Sequence, residues 1–298
     1  MTTRLQLNRN VQEMAACNKQ SDIRTFDFKA LPIEIEVKDL KFVKEIPKVI
    51  GRPHKTTFYQ IIWLTEGQAT FRIDFRDIFV KSNEMLMISA GQVCVFDTRS
   101  DYSGKLILFT NSFFAVTEFD SNFLHTSEIL NPVSFNKTVS INPQLAENLL
   151  VLLDEELKRP VDDFQSGIAH NFLRIILLEA ERQLTTSYIP VVYTIGRKFY
   201  NAVEQHFRES RNADFYVNLL GINEKTLSKE IKALTGNTPK MYIDSRTILE
   251  AKRLLSYSSL SAKEIAYELG FEEPTNFNKF FRKHTDMTPV QFRESIKK

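Results

Sequence analysis

Two stretches near the end of the chain repeat each other at a distance of fifty residues. Residues 227–242 (LSKEIKALTGNTPKMY) superimpose on residues 277–292 (FNKFFRKHTDMTPVQF), and upstream Leu219 falls on Leu269 within two helical patterns of similar length. Two copies are too few for a solenoid, so the repeat indicates a duplicated supersecondary unit. The identical pairs are Lys229/Lys279, Thr235/Thr285, Thr238/Thr288 and Pro239/Pro289.

The second copy has the signals of a helix, a short turn and a second helix. Ser261 and Glu264 have the spacing of a capping box, which satisfies free amides at a helix start. Gly270 stands where a helix can end in the left-handed conformation, and Pro274 suits the first position of the next helix. The apolar face of that next helix is predicted to hold Phe277, Phe280 and Phe281. Its other face is predicted to hold Thr275, Asn276, Asn278, Lys279, Arg282 and Lys283.

The first copy predicts the same unit. A leading helix over residues 215–220 is followed by a turn at Gly221 and Ile222, and Asn223 is a good cap for the next helix. The inner face of that helix is predicted to hold Leu227, Ile231 and Leu234. Its outer face is predicted to hold Lys225, Ser228, Lys229 and Lys232. Both units therefore present a second helix with a polar and basic outer face.

A longer helix from residue 240 to about residue 256 is predicted to join the two units. Its length would be about 25 Å, which could hold the two outer helices on successive major-groove segments roughly 34 Å apart. Residues 196–298 have a net charge of +5 and the rest of the chain −3, as suits a phosphate-binding module. A plain helical bundle whose basic residues face water is the alternative. The apolar positions at helical spacing are Met241, Ile248, Ala251 and Leu255.

The C-terminal third resembles the DNA-binding domain of the AraC/XylS family of transcription regulators. The resemblance lies in residues 265–293 (IAYELGFEEPTNFNKFFRKHTDMTPVQFR), with Ile-Ala, Leu-Gly-Phe, Phe-x3-Phe-[Arg/Lys] and Pro-x2-Phe-Arg elements. It is supported by LSKEIKALTGNTP in the first unit and covers about residues 193–298. Further matching positions are His206, Phe207, Arg246, Ala251, Leu254 and Leu255.

The resemblance implies which side chains enter the major groove. Lysine can donate to guanine, and asparagine can pair with adenine in bidentate fashion. Tyr216-Val217 departs from the family's common Tyr-Ala, and Lys279 stands where arginine is frequent, so the base preference is specific to this chain. The base-reading candidates are Lys225, Ser228, Lys229, Thr275, Asn276 and Lys279. The candidates for phosphate contacts are Lys232, Arg282 and Lys283.

From residue 33 to about residue 135 the pattern changes to short alternating runs that predict β-strands. The run over residues 69–75 places Phe71, Ile73 and Phe75 on one face. Further strands are expected at 85–88, 93–96 and 106–109, with turns at 66–67, 82–83, 90–91 and 102–104. The region resembles the cupin-type sensor domain that many members of the family carry. The expected fold class is α+β, with a cupin-like β-barrel or sandwich before an all-α domain.

The metal site of catalytic cupins is missing from this chain. His54 and His125 are the only histidines before the helical region, and neither has a metal-ligand neighbour at useful spacing. We expect His54 at the surface or at a pocket rim. No cofactor, metal or enzymatic activity is expected, although a metal-dependent cupin enzyme with a helical appendage is the alternative. An apolar barrel interior could hold a small effector, or phenylalanines could fill it.

Two helices are predicted between the halves, over residues 143–158 and 162–184, broken at Pro160. Their apolar stripes, too apolar to leave in water, indicate either a dimer contact or a cover for the barrel. The expected domains are a sensor (1–142), a dimerising helical pair (143–185), a linker (186–192) and a DNA-binding domain (193–298). The stripes comprise Leu145, Leu149, Leu152, Ile168, Phe172, Ile175 and Leu178.

The sequence lacks a secretory signal and any run of eighteen apolar residues, so we expect a cytoplasmic protein with no membrane partner. Cys17 and Cys94 are too few and too far apart for a disulfide framework or a zinc site. The hypothesis is a homodimeric regulator that binds promoter DNA and, as the resemblance implies, activates by contact with RNA polymerase. Repression, and an effector-independent DNA-binding protein, are the alternatives.

Overall fold

The structure is a computed structural model that describes residues 23–132, 138–184 and 195–296. These residues divide into two compact units, 23–184 and 195–296. The first unit combines a sheet with helices, and the second contains helices only within its described residues. The expected α+β class is therefore confirmed. The expected linker at 186–192, and Cys17, lie outside the described residues.

The strands of the first unit form one sheet around a long central strand. The first half of β4 pairs with β6 and β8, and its second half pairs with β5 and β7, all antiparallel. Because one strand passes from one set of neighbours to the other, the sheet curls as the predicted barrel or sandwich requires. The strands are β1 (Arg24–Phe26), β2 (Ile35–Asp39), β3 (His54–Thr56), β4 (Tyr59–Ile73), β5 (Arg76–Lys81), β6 (Glu84–Ile88), β7 (Val93–Val95), β8 (Tyr102–Phe109) and β9 (Thr138–Ser140).

The sheet has a hydrophobic core on each face. Ile61 and Trp63 of β4 belong to one core, while Ile62 and Leu64 belong to the other. This division follows from the two-residue period of a strand, and it explains why YQIIWL is apolar on both sides. The helices of this unit are α1 (Leu40–Lys44), α2 (Asn111–Phe114), α3 (Glu118–Thr126), α4 (Pro143–Lys158) and α5 (Gln165–Leu184).

Two expected turns are wrong, because their glycines serve close strand packing. Gly67 and Gly104 lie within β4 and β8, where the pairing passes through a bulge. A Cβ on Gly104 would lie 1.9 Å from the carbonyl oxygen of Trp63, and one on Gly67 would lie 2.2 Å from that of Asp101. The glycines permit the two backbones to approach each other. The turns expected at 82–83 and 90–91 are confirmed.

The strand expected over residues 69–75 ends two residues early. Its buried face is Ala69, Phe71 and Ile73, whereas Phe75 lies in the turn that follows. Asp74 begins this turn with a positive φ of 54°. Its carboxylate accepts hydrogen bonds from the Gln92 side chain (2.9 Å) and from the backbone N–H of Val93 in β7 (3.2 Å). These long-range bonds stop the strand where the alternating pattern alone would continue it.

Capping side chains determine the residue at which each helix of the helical pair begins. The side chain of Asn142 accepts from the backbone N–H of Leu145 (3.1 Å), so α4 starts at Pro143 as predicted. The second helix starts at Gln165, three residues later than predicted. Asp162 accepts from the backbone N–H groups of Phe164 (2.9 Å) and Gln165 (2.8 Å), so it lies before the helix.

Three of the seven residues of the apolar stripes expected on the helical pair do not face the core, whereas Leu145, Phe172 and Leu178 pack against it. Leu152 is 47% exposed, Ile168 37% and Ile175 42%. The buried faces contain alanines, which let the helices approach their neighbours closely, so larger residues are left outside. Leu149 is the member of the expected stripes that is buried. The residues buried on α4 and α5 include Ala146, Leu149, Leu150, Leu153, Ala169, Leu173, Ile176, Leu177 and Ala180.

The second unit packs its helices around one core. Its longest helix, α9, carries Ile248, Ala251 and Leu255 into that core as predicted, but Met241 is 53% exposed. Tyr242 takes the inward position instead, with its ring 4.7 Å from that of Tyr200. The helices are α6 (Ile195–His206), α7 (Ala213–Leu220), α8 (Glu224–Thr235), α9 (Pro239–Tyr257), α10 (Ala262–Glu268), α11 (Pro274–Thr285) and α12 (Pro289–Ile296).

Candidate nucleic-acid interface

The first helix-turn-helix unit consists of α7 and α8. Gly221 ends α7 in the left-handed conformation, with a φ of 62°. The side chain of Asn223 accepts from the backbone N–H of Thr226 (2.8 Å) and caps α8. Leu227 and Ile231 are fully buried, as predicted, whereas the side chain of Leu234 lies outside the described part of the chain. The predicted turn and cap are therefore confirmed.

The second helix-turn-helix unit consists of α10 and α11, and it has the cap, the turn glycine and the proline that the sequence predicts. The Ser261 hydroxyl accepts from the backbone N–H of Glu264 (3.2 Å), whose carboxylate accepts from the backbone N–H of Ser261 (2.7 Å). Gly270 has a φ of 73°. Pro274 begins α11, and the Phe277 and Phe281 side chains of this helix are fully buried.

The two helix-turn-helix units differ by one residue in the length of the turn. The leading helices correspond at a distance of 49 residues, because Gly221 matches Gly270, whereas the second helices correspond at 50. The alignment of Leu219 with Leu269 is therefore wrong. Leu219 is 49% exposed while Leu269 is fully buried, and Leu220 packs against the core in its place.

The outer faces of α8 and α11 carry the residues that the sequence singled out. Of the six base-reading candidates, Ser228 is half-buried and the other five, Lys225, Lys229, Thr275, Asn276 and Lys279, are exposed. The phosphate candidates Lys232, Arg282 and Lys283 are exposed as well. Each second helix therefore turns a hydrophobic face to the core and a polar face to solvent, as a helix entering a major groove would.

Two arginines in the loop between α6 and α7, which leads into the first helix-turn-helix unit, contact the second helix-turn-helix unit. The Arg208 guanidinium lies 2.8 Å from a carboxylate oxygen of Glu268 and 3.2 Å from one of Glu250. Arg211 donates to the carbonyl oxygens of Leu269 (2.8 Å) and Gly270 (3.1 Å). Its guanidinium also lies 3.6 Å from the ring centroid of Phe271. These contacts join the loop before α7 to α9, to α10 and to the turn that follows α10.

The carboxylate of Glu250 is surrounded by guanidinium groups. Arg246 lies 3.2 Å away, Arg208 3.2 Å and Arg253 3.4 Å. Burial by itself would raise the pKa of Glu250, but these three charges outweigh burial and lower the pKa to about 2. Arg246 also lies 2.8 Å from Glu204 of α6. The cluster joins α6, the loop after it and α9.

Replacing Glu250 by glutamine is expected to lower the free energy of unfolding at pH 7 by about 3 kcal/mol, because one pKa unit corresponds to about 1.4 kcal/mol. The folded pKa lies below the ordinary value of 4.5, so this stabilisation is complete above that pH and is lost as the pH falls toward 2. Urea unfolding at pH 7 and pH 3.5 measures it. A deficit of equal size at both pH values would contradict the charge argument.

The matched control is Glu268→Gln, which removes another partner of Arg208. The side chain of Glu268 is 47% exposed, against 15% for Glu250. Exposed ion pairs contribute about 1 kcal/mol or less. The control should therefore be much less destabilised at pH 7 than Glu250→Gln.

A cavity of about 100 Å³ lies inside the sheet of the first unit. His54 is part of its wall and is 2% exposed, so the expectation of a surface or rim position is wrong. The imidazole stacks on Phe96 with ring centroids 5.6 Å apart, and its Nδ1 lies 3.0 Å from the carbonyl oxygen of Arg52. Burial lowers the pKa of His54, so the ring is neutral at pH 7.

The rest of the lining is mainly apolar, with the polar residues Thr56 and Gln60 and four charged residues. Lys29, Lys38 and Lys48 contribute to the lining, against one carboxylate, that of Glu36. The ammonium of Lys38 lies 2.7 Å from Glu36, which leaves an excess of positive charge. Within the described residues, no group of three His, Cys, Asp or Glu side chains could hold a metal ion. The apolar lining includes Phe26, Phe42, Val43, Phe58, Phe96 and Leu108.

The comparisons with known proteins concern mainly the second unit. A family described as a helix-turn-helix domain matches residues 216–295. The transcriptional activator RhaS of Escherichia coli O1:K1 is 30% identical over 92 residues, which are 31% of this chain and 33% of RhaS. RhaS of the K12 strain matches with the same figures. The chain thus aligns with only about a third of the length of these curated relatives.

Solved structures also match. ToxT from Vibrio cholerae is 15% identical, with 87% of this chain and 97% of ToxT covered and a TM-score of 0.44. The C-terminal domain of the response regulator yesN from Fusobacterium nucleatum is 28% identical, with 32% of this chain and 93% of that domain covered and a TM-score of 0.30.

No helix in the described ranges has the length and apolarity needed to cross a membrane.

The second unit contains two helix-turn-helix units, and the match to the helix-turn-helix family over residues 216–295 extends over both of them. Over this region the chain is similar to the activator RhaS, in agreement with the resemblance to the AraC/XylS family seen in the sequence. The contacts of Arg208 and Arg211 could not be found from the sequence, because their partners lie 42 to 60 residues away. The pairs of Glu250 with Arg246 and Arg253 have helical spacing, which is the signal that could have found them.

Proposed function

We propose that the whole protein is a sequence-specific regulator of transcription that binds promoter DNA through its second unit. The observation that carries this proposal is the pair of exposed, polar second helices on one rigid core. We assign base reading to Lys225, Ser228, Lys229, Thr275, Asn276 and Lys279, and phosphate contacts to Lys232, Arg282 and Lys283. The assignment rests on side-chain chemistry and on exposure at these positions, of which Ser228 alone is half-buried.

Binding to duplex DNA is expected to weaken steeply as salt rises, because each neutralised phosphate releases counterions. Three lysine and arginine candidates for phosphate contacts imply a slope of about −3 in log K against log salt, before any contribution from the base-reading lysines. Fluorescence anisotropy of a labelled duplex between 50 and 300 mM salt measures it. A flat response would contradict DNA binding by these faces.

The first unit is proposed to set when the protein acts, by binding a small effector in the cavity beside His54. An apolar wall with an excess of lysines suits a small organic acid with an apolar body. Octanoate is therefore expected to raise the melting temperature by several degrees, whereas octanol, which lacks the charge, should raise it less. Equal responses to both compounds, or none to octanoate, would contradict this assignment.

We propose that the helical pair forms the contact of a homodimer. The support is the exposed apolar face of α4 and α5, since monomeric proteins rarely leave such a face in water. Sedimentation velocity should show a dimer at micromolar concentration, and Ile175→Glu should shift it toward monomer. A wild-type monomer would contradict the proposal. The residues of this face include Val151, Leu152, Ile168 and Ile175.

The proposed domains are a sensor at 1–142, a dimerising pair at 143–185, a linker at 186–192 and a DNA-binding domain at 193–298. Activation through contact with RNA polymerase is part of the proposal, supported by the curated relatives that are named transcriptional activators. Such a regulator works in the cytoplasm, where promoter DNA lies. Transcription in vitro from a promoter that the protein binds tests whether it activates or represses, since a fall in the amount of transcript on adding the protein would mean repression.

A further inference from the structure

A second cavity, of about 340 Å³, lies in the first unit on the opposite face of the sheet from His54. Its floor includes Trp63 of β4, and its wall includes Leu150 of α4. Both side chains belong to the core that packs beneath the helical pair. This cavity is therefore separate from the proposed effector cavity, and nothing in the DNA-binding proposal uses it.

The indole N–H of Trp63 has no hydrogen-bond acceptor in the part of the chain that the structure describes. The side chain is only 4% exposed. A buried donor left without an acceptor costs free energy, and it is satisfied when a ligand brings an oxygen to it. The orphaned N–H therefore indicates what one end of a ligand must offer.

A positive charge stands beside this donor. Lys105 of β8 is directly opposite Trp63 in the antiparallel register, so both side chains leave the same face of the sheet. Its ammonium has a loose partner in Asp39, 3.6 Å away, and the lysine side chain remains 43% exposed. Trp63 and Lys105 both line the cavity, and an indole N–H together with an ammonium group favours a carboxylate.

Negative charge lines the other side of the cavity. Glu147 and Asp154 of α4 both contribute to the lining and are two helical turns apart. Asp154 lies 2.5 Å from Lys158, whereas no ion pair of Glu147 occurs among the described residues. Leu150 and Val151 provide the apolar surface between these carboxylates. Glu147 can therefore receive an ammonium group.

We propose that this cavity binds an α-amino acid with an apolar side chain. The carboxylate of the ligand faces the Trp63 N–H and Lys105, its ammonium faces Glu147, and its side chain lies on Leu150 and Val151. The cavity is larger than the one beside His54 and has room for such a molecule. Because α4 also carries the exposed face proposed for dimerisation, the ligand would touch the element that holds two copies together.

Isothermal titration of the full chain with each of the twenty amino acids tests the proposal. At least one apolar amino acid is expected to bind, and its amide and its deaminated acid should each bind at least about tenfold more weakly, because each lacks one charge. If no apolar amino acid binds, or if the amide and the acid bind as well as the parent, the proposal is overturned.

Two variants locate the site. Glu147→Gln, at an exposed position that leaves the fold intact, and Trp63→Phe, which removes the N–H, should each weaken binding about tenfold. Glu155→Gln is the matched control, since it removes the same charge from the same helix outside the cavity. Unchanged binding to Glu147→Gln would overturn the proposal even if Trp63→Phe failed to fold. DNA binding measured on the same variants separates this result from the proposed function.

Discussion

Replacing Gly270 by alanine is expected to destabilise the C-terminal unit by about 3 kcal/mol or more, since a left-handed alanine and a forced contact each cost about 1–3 kcal/mol. The glycine has a φ of 73°, and a Cβ built on it would lie 1.8 Å from the carbonyl oxygen of Arg208. Alanine cannot fit there unless the backbones separate. The movement would also disturb the bonds of Arg211 to Leu269 and Gly270.

Gly221 provides the matched control for this substitution. It occupies the equivalent turn of the first unit with a φ of 62°, but a Cβ there would meet nothing within 4 Å. Gly221→Ala should therefore cost only the left-handed conformation, about 1 kcal/mol. Thermal unfolding followed by circular dichroism, together with binding to a target duplex, compares the two variants. Equal losses of thermal stability and of duplex binding in the two variants would show that the contact with Arg208 does not hold the two helix-turn-helix units together.

Replacing Lys279 by alanine is expected to weaken specific DNA binding by about 1–3 kcal/mol and to relax the preference at one base position. Lys279 is exposed on α11, the helix whose Phe277 and Phe281 are buried in the core. Its side chain is thus held outward by a rigid element. Binding measured on a set of duplexes that vary one base pair at a time shows both effects.

Lys263→Ala is the control for the lost charge, because Lys263 is exposed on the leading helix α10. It removes one positive charge from the same unit without touching the outer face of α11. If Lys279→Ala weakens binding equally on all sequences, Lys279 contacts phosphate. If both variants behave alike, the assignment of α11 as the reading helix is wrong.

Local signals predicted the DNA-binding unit well. Caps, left-handed glycines and helical periodicity act over a few residues, so Ser261, Asn223 and Gly270 could be assigned from their neighbours alone. The same reasoning placed both turns of the second unit. It missed the one-residue difference between the turns of the two helix-turn-helix units. The fifty-residue shift aligns the second helices of the two units, but the leading helices align at a shift of 49 residues.

Signals with two physical meanings misled the sequence interpretation in the first unit. Glycine marks turns, but Gly67 and Gly104 are required by two backbones in close contact. The apolar stripe of α5 predicted its buried face, yet Ile168 and Ile175 remain exposed because the alanine-bearing face packs inward. Neither choice is visible locally, since both depend on which surface another element presents.

The sequence by itself determined the two helix-turn-helix units and their outward polar faces, because caps, turns and periodicity are local. The tertiary structure alone decided how the units are locked together. Arg208 and Arg211 contact residues 42 to 60 positions away. Glu250 has Arg246 and Arg253 at helical spacing, but the third guanidinium group, that of Arg208, reaches it only in the folded chain. The tertiary structure also decided that His54 is buried in a cavity wall, since burial depends on strands that meet only in the folded chain.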